Sequence, residues 1–217
     1  MLFMIKGHLR VSVPPWLRIV MAVLIVLALT VPATAAGEDQ ILLVGSSIFH
    51  RWTNLSKQMA PLPVVNRAVD GFETGNVLRM ADSVVIPSKP RVVVYYAGSN
   101  DVDAGEPAAA IVGRIRQFVE RVTAALPATR IVFVSVNRAP EKQDRWDVVD
   151  AVNNQVKAYA AQSTRLQYVD VNPVLFNANG MPRFELFMPD ELHLRPAAYE
   201  EFTRILKPVL AKAFETP

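Results

Sequence analysis

The sequence predicts an α/β protein, a three-layer α/β/α sandwich around a five-stranded parallel sheet. Two patterns carry this expectation. Five short runs rich in Val and Ile alternate with longer stretches whose apolar residues recur every three or four positions, the rhythm of βαβ units. The central runs are continuously apolar instead of alternating, as strands covered on both faces must be. With 217 residues, 51% of them hydrophobic and 20% charged, the chain is long enough for one domain with a substantial core and unlike a disordered or collagen-like polymer.

In order, strands are expected at ILLVG (Ile41 to Gly45), VVN (Val64 to Asn66), RVVVYYAG (Arg91 to Gly98), RIVFVSV (Arg130 to Val136) and QYVDV (Gln167 to Val171). Between the third and fourth, residues 107–126 place Ile111, Ile115, Phe118, Val119 and Val122 at helical spacing, with Arg114, Arg116, Glu120 and Arg121 among them and Pro107 at the opening turn. A second helix is expected over about 144–161. A third, over 196–214, carries Tyr199, Phe202, Ile205, Leu206, Val209 and Leu210. No repeat, low-complexity tract or linker interrupts the pattern.

The charge distribution isolates the N-terminal segment. The formal charge of +3 comes from Lys6, Arg10 and Arg18, all before residue 36, where there is no Asp or Glu. The remainder is neutral, so a nucleic-acid partner is not expected. The basic start precedes an uncharged apolar run, Ile19 to Val31, and then Ala33, Thr34 and Ala35, an A-x-A cleavage pattern. Residues 1–35 therefore read as a signal peptide and 36–217 as an exported domain, periplasmic or secreted. The run is shorter than the roughly 20 residues that span a bilayer, although an uncleaved membrane anchor is the alternative. No membrane span is expected after cleavage.

The absence of cysteine excludes disulfides, thiolate metal sites and a thiol nucleophile. Beyond residue 35 only His50 and His193 remain, too few for the usual histidine-rich metal sites. No metal and no cofactor are expected. Ligands of an open parallel sheet bind outside the carboxyl ends of its strands, so chemistry is sought there.

GSSIFHRW after the first strand lacks the glycines of a dinucleotide loop, the G-K-[ST] of a P-loop and the G-x-S-x-G elbow. It offers Ser47 at a strand-to-helix turn, either as an N-cap or as a reactive hydroxyl. PDELHLRP places Asp190 three residues before His193, either orienting a general base or capping a turn beside an exposed histidine. His50 has no acid at comparable spacing and reads as a surface or pocket-rim residue. Asn100 in AGSND could cap its turn or donate to an oxyanion. Asp70 and Gly71 could form a turn pair, or Gly71 could present its N–H as a second donor. Phe184, Leu186, Phe187 and Met188 could line an acyl pocket or belong to the core.

Serine after strand one, glycine after strand two, asparagine after strand three and D-x-x-H before the last helix stand in one order. In GSSI, VVNRAVDGFET, AGSND and DELH the chain resembles the SGNH or GDSL hydrolases over essentially all of 36–217. More narrowly, GSSI followed by RW, PVVNR, VVVYYAG and LHLRPAAY is similar to bacterial GDSL-like acylhydrolases of the platelet-activating-factor acetylhydrolase type. The resemblance implies a flavodoxin-like sandwich and a serine esterase acting on a small-molecule ester without a cofactor. It implies Ser47 as nucleophile, His193 as base and Asp190 as its orienter. Gly71 and Asn100 would be oxyanion donors beside the Ser47 amide. Ser46 departs from the Asp of the family motif, and Ala68 and Val69 from the small residues before the second glycine. An inactive binding module on the same fold is the alternative reading.

Overall fold

The computed structural model describes residues 39–216, so the segment read as a signal peptide lies outside the described residues. The elements are β1 (Ile41–Gly45), α1 (Ser47–His50), α2 (Leu55–Met59), β2 (Val64–Asn66) and α3 (Thr74–Met80). A π turn (Ala81–Val85) and a closing turn (Ile86–Ser88) continue α3. Then follow β3 (Val92–Tyr96), α4 (Ser99–Asp103), α5 (Ala108–Ala125), β4 (Arg130–Val134), α6 (Trp146–Ala160), β5 (Leu166–Val169) and α7 (Pro196–Glu215).

All five strands pair in parallel, in the order β2-β1-β3-β4-β5. Successive side chains of a strand point to opposite faces, so each strand feeds two cores. Ile41, Leu43, Val92, Val94, Val132 and Val134 pack on one face with Phe202, Leu206 and Leu210 of α7. Leu42, Val44, Val93, Tyr95, Ile131 and Phe133 pack on the other with Val77 of α3, Ile115 and Phe118 of α5, and Val152 and Val156 of α6. Each such side chain stabilises the fold by about 1.5–3 kcal/mol relative to exposure. The two cores, rather than any local propensity, hold the three layers together.

The expected strands and the three long helices are present, with bounds shifted by a few residues. The third strand stops at Tyr96 because Gly98, at φ 131, turns the chain into α4. The second long helix starts at Trp146 because a 3₁₀ stretch, Pro140–Arg145, precedes it. Sequence periodicity did not reveal α3, whose Gly75 and Asn76 are poor helix formers. Glu73 and Asn76 stabilise it instead through a reciprocal capping box. Among the described residues no helix is long and apolar enough to cross a membrane.

Chain order reverses between β1 and β3, since β2 lies on one side of β1 and all later strands on the other. A crevice opens outside the carboxyl ends of strands at such a switch point. The loops leaving β1 and β3 carry Ser47 and Asn100.

Candidate active site

Ser47 owes its position to Gly45. A Cβ on Gly45 would lie 2.0 Å from the Tyr96 carbonyl oxygen, and its φ is 150, so only glycine permits this close crossing of β1 and β3. The Ser46 N–H donates to that same Tyr96 oxygen at 3.0 Å, and the chain then enters the single turn of α1. Ser46 occupies the N-cap position but makes no side-chain cap bond; its carbonyl accepts the Phe49 and His50 N–H groups instead. The N-cap position considered for Ser47 is therefore held by Ser46, whose carbonyl makes the ordinary first bonds of the helix. Ser47 is the first helical residue, where an N–H has no intrahelical partner. From below, the Tyr199 hydroxyl donates to Ile48 O at 2.9 Å, and Trp52 stacks on Tyr199.

The Ser47 hydroxyl meets the His193 ring, with Oγ 3.0 Å from Nε2. On the other side of the ring, Nδ1 lies 2.6 Å from Asp190 Oδ2. Asp190 Oδ1 accepts the His193 N–H at 2.9 Å and the Leu192 N–H at 3.1 Å. Both readings of DELH are thus realised at once: one carboxylate oxygen caps the turn and the other orients the ring. Glu191 adopts φ 55 to close this turn. The loop is fastened by Met188 N–H to His193 O and by Arg195 N–H to Leu186 O.

Partial burial of Asp190 disfavours its charge, but the bonds from the His193 ring, the His193 N–H and the Leu192 N–H outweigh that effect. They lower its pKa from 3.8 to about 2. An ionised Asp190 can only accept, so Nδ1 carries the ring proton and the Nε2 lone pair is left to accept from Ser47.

The loop after β2 is tied to the serine turn. Asn66 Nδ2 donates to Phe49 O at 2.7 Å, and its Oδ1 accepts the Ala68 N–H at 3.0 Å. Val69 N–H donates to Gly45 O, and Arg51 forms an exposed ion pair with Asp70 at 3.2 Å. The Phe72 N–H reaches back to Val69 O, so Gly71, with φ 76, takes the turn position that favours glycine. Asp70 and Gly71 do form a turn, and the Gly71 N–H has no backbone partner among the described residues. Asn100 does not cap its own helix; its Nδ2 donates to Phe72 O at 2.9 Å, beside Gly71.

Other expectations separate on burial. His50 is exposed, and its Nδ1 pairs with Ala68 O at 2.9 Å, apart from the Asp190–His193–Ser47 series. Leu186 and Phe187 are core residues, while Phe184 and Met188 are exposed, so these four do not share one pocket. Asn66 and Tyr199 brace the serine turn without having been singled out. An asparagine ending a strand before a turn is a local signal by which Asn66 could have been found.

An acid, an imidazole and a hydroxyl hydrogen-bonded in series at the switch point of a parallel sheet form the arrangement of an ester-bond hydrolase. The chain belongs to the GDSL-like lipase/acylhydrolase family, whose model matches residues 34–201. Its fold is similar to that of a candidate acylhydrolase from Bacteroides fragilis, with 20% identity, TM-score 0.72 and coverage of 82% of this chain and 88% of that one. A GDSL-like lipase from Bacteroides thetaiotaomicron matches with 21% identity, TM-score 0.70 and coverage of 89% and 97%. A carbohydrate esterase family 3 protein from Talaromyces cellulolyticus matches with 16% identity, TM-score 0.64 and coverage of 81% and 98%. No curated protein matches the sequence.

Proposed function

We propose that the protein is an exported serine esterase that hydrolyses carboxylic esters of lipids or acylated carbohydrates through an acyl-enzyme. The unbroken series Asp190, His193, Ser47 carries this reading. Ser47 Oγ attacks the ester carbonyl carbon while its proton passes to His193 Nε2. The tetrahedral oxyanion is held by the Ser47 and Gly71 N–H groups and by the Asn100 Nδ2 proton not used on Phe72. As the C–O bond breaks, the imidazolium returns the proton to the leaving alcohol. Water then attacks the acyl-enzyme with His193 again as base, releasing the acid and restoring Ser47. Asp190 stays ionised throughout and stabilises the imidazolium.

The family, and the lipase and carbohydrate esterase descriptions of similar folds, support these substrate classes. Export rests on the basic start, apolar run and A-x-A pattern of residues 1–35. Hydrolysis of an ester panel varying in acyl length and alcohol, run beside labelling with a serine-directed phosphonate, tests the reaction. Turnover and a single Ser47 adduct are expected; a folded protein giving neither overturns it. Intact mass of the protein from the host envelope or medium tests export. Recovery beginning near Ala36 or Gly37 is expected, and retention of Met1 in a membrane-embedded product rejects cleavage.

A further inference from the structure

Asp101 follows Asn100 directly, yet its carboxylate is wholly buried and finds its partners on α3 and α5. It accepts the Thr74 N–H on both oxygens, at 3.1 and 3.0 Å, and the Thr74 hydroxyl in a short bond to Oδ1. Arg114 Nη2 reaches the same Oδ1 at 3.0 Å, and Arg114 Nε donates to Thr74 Oγ1 at 2.7 Å. Glu106 flanks the outer side of Arg114 at 3.5 Å. Burying a charge is costly, and an apolar cluster of similar volume often stabilises a core as well or better. This network therefore calls for a role other than packing.

Its placement supplies one. Thr74 opens α3 only three residues after Gly71, and Asp101 is adjacent to Asn100. The Asn100 side chain in turn holds Phe72 O, so residues 72–74 and 100–101 form a closed loop of contacts, with Gly71 next to it in the chain. The capping box between Glu73 and Asn76 stiffens the far end. Asn100 is tied directly to Phe72, the neighbour of Gly71, and the Asp101 carboxylate braces that tie from the next residue through Thr74. Oxyanion donors act only when they lie about 2.7–3.1 Å from the developing charge, so a small slip is expensive.

We infer that Asp101, clamped by Thr74 and Arg114, is a positioning residue that holds the two loop-borne oxyanion donors in register. The inference rests on the esterase mechanism proposed above. In Asp101→Asn the side-chain oxygen can keep the Thr74 hydroxyl and Arg114, but the N–H₂ in place of Oδ2 then faces the Thr74 N–H and the charge opposite Arg114 is lost, so the clamp loosens with little change in volume. With p-nitrophenyl acetate, kcat should fall about 10-fold to 10²-fold with KM within about twofold, because the loss falls on the transition state. The phosphonate labelling rate should fall in parallel. In an Asn100→Ala background, where one positioned donor is already gone, the same substitution should cost less than about threefold. Thr74→Ser, which keeps the hydroxyl, should match wild type, while Thr74→Val should resemble Asp101→Asn.

An unchanged kcat in folded Asp101→Asn, or an equal cost in both backgrounds, overturns the inference, the latter because it describes general loosening. Should Asp101→Asn fail to fold, the Thr74 pair decides, and wild-type kcat in Thr74→Val is then the overturning result. Wild-type protein with neither turnover nor a Ser47 adduct sinks the esterase mechanism and this inference with it. Wild-type turnover beside an indifferent Asp101→Asn removes this inference alone.

Discussion

Asp190 holds the His193 ring at 2.6 Å with one carboxylate oxygen while its other oxygen closes the turn that presents the histidine. Acid and base are three residues apart in one turn, so their geometry is set locally. Only the bond from Ser47 to His193, between residues 146 positions apart, requires the whole domain.

That division predicts a tautomer effect. In Asp190→Asn the side-chain oxygen can still cap the turn, but an N–H₂ then faces Nδ1 and favours the ring tautomer with the proton on Nε2. A kcat loss of about 10⁴ in a folded protein is expected, with a modest fall in melting temperature because the bonds to the ionised carboxylate are weakened. Steady-state kinetics and thermal melts check it; a loss under tenfold would mean that Asp190 does not orient the base.

The pH dependence follows from the same carboxylate. Its folded pKa, about 2, lies below the ordinary 3.8, so its contribution to stability is complete above 3.8 and is lost as pH falls toward 2. Melting temperatures measured across that window should drop more steeply for wild type than for Asp190→Ala. An acid limb of kcat/KM lying above pH 3.8 would belong to a group other than Asp190.

Adjacent serines should behave differently. Ser47→Ala is expected to abolish turnover and phosphonate labelling in a folded protein. Ser46 acts through its backbone, so Ser46→Ala should retain labelling and lose no more than about 1 kcal/mol of stability. Mass mapping of the adduct to Ser46 would reverse the assignment.

The two histidines offer a parallel contrast. His193→Ala should lose activity, whereas His50→Ala should stay close to wild type, because the His50 ring is exposed and bonds to the Ala68 carbonyl, apart from Ser47. Initial rates on one ester suffice, and loss in His50→Ala with retention in His193→Ala would invert the base.

Asn100→Ala should lower kcat by about 10²–10³ with KM little changed, the usual cost of one oxyanion donor. A near-normal kcat would leave Asn100 as a strut for the Phe72 carbonyl alone.

The strand runs and the three long helices were legible in the sequence because each buries a face whose spacing repeats along the chain. Short polar blocks after the first three strands and before the last helix picked out Ser47, Gly71, Asn100, Asp190 and His193 as candidates, each with a turn-forming reading beside the chemical one, and the roles came from the resemblance those blocks carry. The sequence also paired Asp190 with His193, since one turn can bring them together. Helix α3 was not legible, because its stability comes from a capping box and from contacts with the sheet rather than from its own residues. Nor could spacing choose between a capping role and a chemical one for Ser47, or reveal that Asn100 spends its amide on Phe72 and that Asp101 reaches Thr74. Those contacts join segments that are distant in sequence. They form only when parallel pairing of β1 with β2 and β3 brings three strand ends side by side, and burial then leaves each polar group one another's atoms, not water, as partners.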